Sequence, residues 1–374
     1  MKHKPFNPTT MKYNFRTVAL CLGLLTVSVA ANAQTFEKSL DISRTFPVME
    51  MTSLQVENKY GTINIIPWEK DSVRFDIALK VTSSKIDRLD NTFKSIAIDF
   101  TANEYFIITR TVFKNQKNRF LAELTDMASS LLSTTNAQID YTIYLPEDIE
   151  LTIDHKFGNL YTTNLTGKLN ITLSNGDMRA NNLTGPVRIY HEFGNLIVNE
   201  LQNATIEFNY ANARINKAES LALKSRATTL EIDDIQQLDL NSRRDQITIN
   251  HLMGITGDLS FSSLEMQALN KSLIMHSEYG EIAINQIDDS FNLIDLSSTY
   301  TDIKLMVTHE AAFDFELIHT KESDVSVAGF IEITNTELLS QDNEIIKVTG
   351  YQGKEGNRKS KIRIDIKSGS FKII

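Results

Sequence analysis

The sequence predicts an all-β protein: a single-chain parallel β-helix, or β-solenoid, with coils of 17–18 residues and one small helical insertion or cap. Three observations carry that prediction. Apolar residues recur at fixed offsets through the middle of the chain. Apolar and polar residues alternate within each unit, as in strands and not helices. The difference in unit length falls in one turn.

Aligned on Leu165, the equivalent apolar residues are Leu183, Leu201, Ala218, Ile235, Leu252, Leu269 and Ile287, at steps of 17 or 18. Five residues before each lie Leu160, Met178, Leu196, Ala213, Leu230, Ile247, Leu264 and Ile282. Two positions further on, all but Thr162 are apolar, as in Ile215, Ile232 and Ile249, while the residue between is mixed (Arg179, Arg214, Glu231, Thr248). Alternate side chains therefore point in and out. A second strand follows in each unit, as in Leu169-x-Ile171-x-Leu173 and Leu221-x-Leu223. Its first apolar residue precedes the next unit's first strand by nine residues throughout. The extra residue of the longer units sits in the turn between the strands, as in Leu165-Thr-Gly-Lys-Leu169. Stacked coils tolerate a change confined to one corner, because the strands above and below stay in register. An antiparallel meander needs alternation but not the same residue type at every offset, and a strand–helix–strand unit needs about thirty residues. The usual crossover hand makes the expected helix right-handed.

Two columns stand out at the corners. Thr163, Asn181, Asn199, Asn216, Asp233, Asn250, Gln267 and Asn285 predict a ladder of side-chain amides. Phe157, Phe193, Tyr210, Phe261 and Tyr279 form an aromatic column before the glycine position, interrupted by Asn175, Ala227 and Arg244. These rings are expected to turn inward and fill the corner; exposed, they would offer faces to sugar rings.

Before the repeats, strands are read at Leu54–Trp68, Val73–Val81, Ile96–Phe100, Tyr105–Phe113 and Ile139–Leu145. A helix is expected over Phe120–Leu132, where Leu121, Leu124, Ala128, Leu131 and Leu132 share a face, and a cap is its simplest role. After Ile287 the coils continue less regularly to a final pair, Ile362-x-Ile364-x-Ile366 and Phe371-x-Ile373.

Residues 1–33 read as a cleavable signal peptide: a basic start, an apolar run from Thr17 to Ala31, then Ala31-Asn32-Ala33 before Gln34. That run is too short to span a bilayer. Cys21 lies mid-run after Leu20, not at its end after a small residue, which argues against lipidation. The division is then 1–33 signal peptide, 34–150 an N-terminal β-rich region, and 151–374 solenoid repeats continuous with it. With the leader's four basic residues removed, 34 Lys and Arg face 47 Asp and Glu, a net −13. Such a chain, without a basic cluster, is a poor partner for nucleic acid or anionic lipid. It has no cysteine and no second long apolar span, so no transmembrane segment is expected in the mature chain.

No phosphate loop, nucleophile elbow or clustered metal motif is present. His155 and His191 occupy one repeat position two coils apart, about 10 Å, too far to share a metal ion. Asp233-Asp234 and Asp288-Asp289 fall in turns where Asp is common. Accordingly no catalytic, cofactor-binding or metal residue is assigned, and no cofactor is expected.

The stretch Leu54-Gln-Val-Glu-Asn-Lys-Tyr-Gly-Thr-Ile-Asn-Ile recurs in style at Phe157-Gly-Asn-Leu, Asn175-Gly-Asp-Met, Phe193-Gly-Asn-Leu and Tyr279-Gly-Glu-Ile. In this it resembles the bacterial putative-adhesin family, exported β-helix domains of unknown function known from Bacteroidetes envelopes, over roughly residues 54–374. The middle coils depart from the pattern at the glycine position (Ala211, Thr228, Asp245). The resemblance implies a non-catalytic envelope protein, an adhesin or a scaffold and binding module, in the periplasm or at the cell surface. Its expected partner is an envelope component, glycan or protein. The alternatives are a carbohydrate-active β-helix enzyme (polysaccharide lyase or glycosidase) and an envelope-stress sensing partner. The short turns of the regular coils leave little material for the groove such an enzyme needs.

Overall fold

Alternating burial along nearly every strand sets the architecture. Ile232 is buried and its neighbour Glu231 is exposed, and the same alternation repeats at Leu230, Ile247, Ile249, Leu264 and Met266. A computed structural model describes residues 35–114, 135–340, 342 and 344–374. The expected leader and the expected helix Phe120–Leu132 lie outside the described residues. Within them the protein is nearly all β, with twenty-three strands in one large, non-closed sheet and one α-helix.

Pairing sorts the strands into two lanes. The first runs β1 (Phe36–Pro47), β4 (Ser72–Ser83), β7 (Thr135–Leu145), β3 (Ile63–Pro67), β9 (Leu160–Thr162) and into β11 (Met178–Arg226). The second runs β5 (Ile96–Ala102), β6 (Phe106–Phe113), β2 (Ser53–Lys59), β8 (Glu150–Lys156), β10 (Leu169–Ser174) and also into β11. From β11 through β12 (Thr229–Arg243), β13 (Gln246–Ser260) and β14 (Ser263–Glu278), long strands serve both lanes. The lanes then part. One continues as β15 (Glu281–Ile287), β17 (Asp302–Val307), β23 (Ser370–Ile373) and β19 (Asp324–Ser326). The other continues as β16 (Leu293–Thr299), β22 (Ser360–Ile366), β18 (Phe313–Thr320), β21 (Ile345–Gln352) and β20 (Glu332–Ser340).

Between β11 and β15 the pairs are parallel at offsets of 17 or 18: Leu230 with Ile247, Ile247 with Leu264, Leu264 with Ile282, and Leu238 with Ile255. The offset changes from 17 to 18 between Leu252–Leu269 and Gly254–Ser272, in the turn where the sequence places its extra residue. At both ends the pairing turns antiparallel, in β1–β4–β7 and β5–β6 at one end and β18–β21–β20 at the other. Space does not follow chain order at the second end. The last strands, β22 and β23, wedge between the 293–307 strands and the 313–326 strands, which leaves the β20–β21 hairpin outermost.

Two elements differ from expectation. The strand expected over Leu54–Trp68 is two strands, broken at Tyr60 (φ 67°) and Gly61 (φ 130°). A Cβ at Gly61 would sit 2.3 Å from the Ile139 carbonyl oxygen, so the chain can turn there only on glycine. Helix α1 (Ile86–Ser95) packs against β1, β4, β5 and β7 at the first end. Four of its ten residues are charged and only Leu89 is buried; Ile86, Leu89 and Phe93 share one face, a stripe of three residues too short to mark a helix.

Candidate functional site: an aromatic edge over a polar corner

Ten residues near the ends of the second-lane segments hold the left-handed backbone: Tyr60, Phe157, Asn175, Phe193, Tyr210, Ala227, Arg244, Phe261, Tyr279 and Tyr300, with φ from 51° to 67°. A left-handed residue interrupts the in–out alternation and swings its side chain out of the sheet's pleat. Of the rings expected to fill the corner, Phe193, Tyr210, Phe261 and Tyr279 therefore stand outside it, 46% to 51% exposed, and Phe157 is intermediate; Tyr300, which extends the column, is 56% exposed. The inward expectation is corrected on this point. Left-handed backbone costs about 1–2 kcal/mol per non-glycine residue, and Phe and Tyr have no local hydrogen bond to offset it.

What they have instead is one another. Phe193 and Tyr210 stack at 5.2 Å between centroids and 9° between planes. Phe261 and Tyr279 stack at 5.0 Å and 3°, and Tyr279 and Tyr300 at 5.0 Å and 13°. Tyr60 and Phe157 make a third stack at 5.5 Å, with the Lys59 ammonium 4.9 Å from the Tyr60 ring centre. Asn175 separates the first two stacks along the column, and Ala227 and Arg244 separate the next two. Parallel pairs of this kind contribute about 0.5–1.5 kcal/mol each, which offsets only part of the backbone cost of the two residues in a pair.

Behind the rings the corner is polar. His155 and His191 are fully buried at one register position, with Leu173 between them. The His191 Nε2–H donates to the Gly176 carbonyl at 2.8 Å; His155 places Nε2 3.0 Å from the Gly61 carbonyl and Nδ1 3.3 Å from that of Asn58. Burial, which outweighs the opposing backbone hydrogen bonds, holds both imidazoles below the ordinary histidine pKa. Farther along, Asp245 is buried with its carboxylate accepting from Ser225 Oγ and Ser242 Oγ (2.6 Å each), Thr228 N (2.8 Å) and Arg243 N (3.0 Å). The sequence marks Asp245 only as a lost glycine; four donors on one carboxylate is the reason it is there.

The expected amide ladder is partly in place. Asn216 donates to Asn199 at 3.1 Å, Asn250 to Asp233 at 2.9 Å and Asn285 to Gln267 at 3.0 Å. Asn181 and Asn199 instead donate to the neighbouring column, to Asn164 and Asn182. A second ladder, Asn159–Asp177–Asn195–Asn212, lies just after the glycine position. The Gly-Asn and Gly-Asp pairs in the sequence are its signal. Asp288 accepts from the Ser290 hydroxyl and N–H, which hold its carboxyl below the usual range, and Asp289 accepts from Thr308 Oγ1; both serve turns.

The longest stack walls an open cleft of about 580 Å³ lined by Phe261, Tyr279 and Tyr300 with Arg244, Gln246, Ser263, Glu281 and Asp302. Aromatic surface, carboxylates, an amide and a guanidinium thus meet on one rigid edge. Among the described residues, no helix is long and apolar enough to cross a membrane, and no group of three His, Cys, Asp or Glu is placed to hold a metal ion.

No family model matches the chain, and no curated protein matches it. Solved structures do. A "putative cell adhesion protein" from Clostridium sporogenes is 12% identical over 90% of this chain and 99% of its own, with a TM-score of 0.18. A "putative lipid binding protein" from Parabacteroides distasonis is 10% identical over 70% and 95%, TM-score 0.33. A "putative adhesin" from Bacteroides fragilis is 14% identical over 71% and 96%, TM-score 0.30. This chain is therefore similar to proteins named as adhesins.

Proposed function

We propose that the protein is an exported, non-catalytic β-solenoid that serves as a binding module of the cell envelope, of the adhesin or scaffold kind. The solenoid reading is supported by parallel pairing at 17–18-residue offsets, which repeats one corner and two strand lanes along the stack. Residues 1–33 act as the cleaved signal, 34–150 form the first end, and 151–374 form the coils. The observation that carries the functional reading is the aromatic edge: half-exposed rings, held parallel on strained backbone and facing solvent. Large apolar rings in water at a cost in backbone strain are the mark of a surface kept for contact.

Cell fractionation with immunodetection, combined with capture of envelope components on the purified protein, tests this. Recovery of the chain outside the cytoplasm, and capture that weakens when Phe261, Tyr279 and Tyr300 are changed together to Ser, is the expected result. A cytoplasmic chain, or capture indifferent to the triple change, refutes it.

A further inference from the structure

We infer that the outer face of Tyr300 and the polar groups beside it bind a neutral oligosaccharide; this deepens, and rests on, the reading as a binding module. The three-ring stack ends at Tyr300. At the next register step, fixed by the pairing of Ile303 with Phe371, the equivalent residue is Ser368, which has no ring. Tyr279 is therefore flanked by aromatic neighbours on both faces and Tyr300 on one. Exposure agrees: 56% for Tyr300, the highest of the column, against 49% for Tyr279. Packed from behind, the ring has little rotamer freedom left to lose when something lands on it.

A pyranose carries C–H groups on its faces and hydroxyls round its rim, so it needs a flat apolar platform with hydrogen-bonding groups at the platform's edge. Asp302 supplies the edge. Its Oδ1 accepts from Ser370 N at 3.1 Å and Ser370 Oγ at 2.6 Å, which fixes the carboxylate and leaves Oδ2 to accept from sugar hydroxyls. Glu281 lies one register step behind Asp302, level with Tyr279. The two carboxylates repel an anionic sugar. A cationic ligand on the outer face of Tyr300 would meet one ring where ammonium recognition calls for several.

Isothermal titration calorimetry on the purified protein tests this with β-1,4-linked tetrasaccharides of glucose, xylose, mannose and N-acetylglucosamine. Tetragalacturonate and tetralysine are the charged arms. Saturable binding of at least one neutral tetrasaccharide is expected, weakened about tenfold or more in Tyr300→Ser and in Tyr300→Leu, which keeps apolar bulk without a flat face. Tyr300→Phe and Tyr105→Ser, the latter at an exposed ring outside the column, should leave binding within about twofold, and thermal melts of all four variants, read by circular dichroism, should stay cooperative and within the few degrees that one lost stack costs. Binding of only the charged arms, of nothing, or of a neutral sugar with equal strength in Tyr300→Leu overturns the site. Envelope capture that survives Tyr300→Ser while sugar binding is absent overturns this inference and leaves the binding-module reading standing.

Discussion

The corner under the aromatic edge is closed in two different ways along the chain. Earlier in the chain the residue after the left-handed position is glycine. A Cβ there would lie 1.6 Å from the Gly61 carbonyl oxygen at Gly158, 1.8 Å from that of Gly158 at Gly176, and 2.0 Å from that of Gly176 at Gly194. In the later coils the same position holds Ala211, Thr228, Asp245, Ser262 and Thr301, and at Gly280 a Cβ would find 2.5 Å. Backbones that nearly touch leave no room for a side chain, so the earlier corner satisfies its carbonyls with imidazole N–H groups from His155 and His191. Where the corner opens, hydroxyls and one carboxylate enter and close the hydrogen bonds themselves. At Gly158, Gly176 and Gly194 glycine is thus required by close approach and not by its own φ, since the left-handed residue is the one before it.

The largest effect that can break this comparison is a methyl group placed in the tight half. Gly176→Ala drives its Cβ onto backbone that is pinned on both sides, and should cost about 3 kcal/mol or more in urea denaturation, or prevent folding. Ala211→Gly, one step into the open half, should cost about 1 kcal/mol or less. Equal costs would mean that the two halves do not differ in room.

Asp245→Ala comes next. It leaves two buried hydroxyls and two N–H groups without their acceptor, and should cost about 2–4 kcal/mol, while Arg244→Ala beside it on the surface stays within about 0.5 kcal/mol. A small loss at Asp245 would show that the hydroxyls find other partners and that the polar corner is not one network.

These two residues also mark how far the sequence could be read. Offsets of 17 and 18, the inward columns and the place of the extra residue are legible because burial repeats with the register; each coil restates the last. The outward turn of Phe193 or Tyr279 is not, because simple alternation from His191 or Ser277 carries two positions on to the inside, and only the left-handed φ reverses it. The wedging of β22 and β23 is invisible for a different reason: strands alike in pattern can pair in more than one order. Helix α1 carries a stripe of only three residues, Ile86, Leu89 and Phe93, and the β20 strand is exposed on both faces, so neither shows a sustained period. The candidate site was legible as a column of residue types and illegible in its direction.

Acid should separate the halves in the third place. His155 and His191 titrate below the ordinary histidine value of 6.5 in the folded chain, so between the two values the unfolded chain binds more protons. Their contribution is complete above about pH 6.5 and falls as the pH drops through the folded values, by at most about 1.4 kcal/mol per pH unit for each ring. Changing both to Leu, the residue that Leu173 already places between them, should flatten stability between pH 6.5 and 5 in denaturation series. An unchanged slope would assign the acid sensitivity to other groups.

The smallest effect carries the opposite sign. Outside the corner, the aromatic column breaks at Ala227 and Arg244, the same coils in which Thr228 and Asp245 replace glycine inside. If rings occupy the column to stack on one another, the break is only a missing ring. Ala227 already holds φ 51°, so a tyrosine there adds no new backbone strain. Its ring would meet the Tyr210 face that Phe193 leaves free, after displacing the Arg226 guanidinium that now lies 5.9 Å from that ring's centre. A stacked pair contributes about 0.5–1.5 kcal/mol and a cation over an exposed ring about 0.5–1 kcal/mol. Ala227→Tyr should therefore come out between neutral and about 1 kcal/mol more stable in urea denaturation. A loss of 1 kcal/mol would show that stacking alone does not maintain rings at this corner. Aromatic residues would then stand at Phe193, Tyr210, Phe261, Tyr279 and Tyr300 for what they contact and not for how they pack, which strengthens the case for a ligand along this edge.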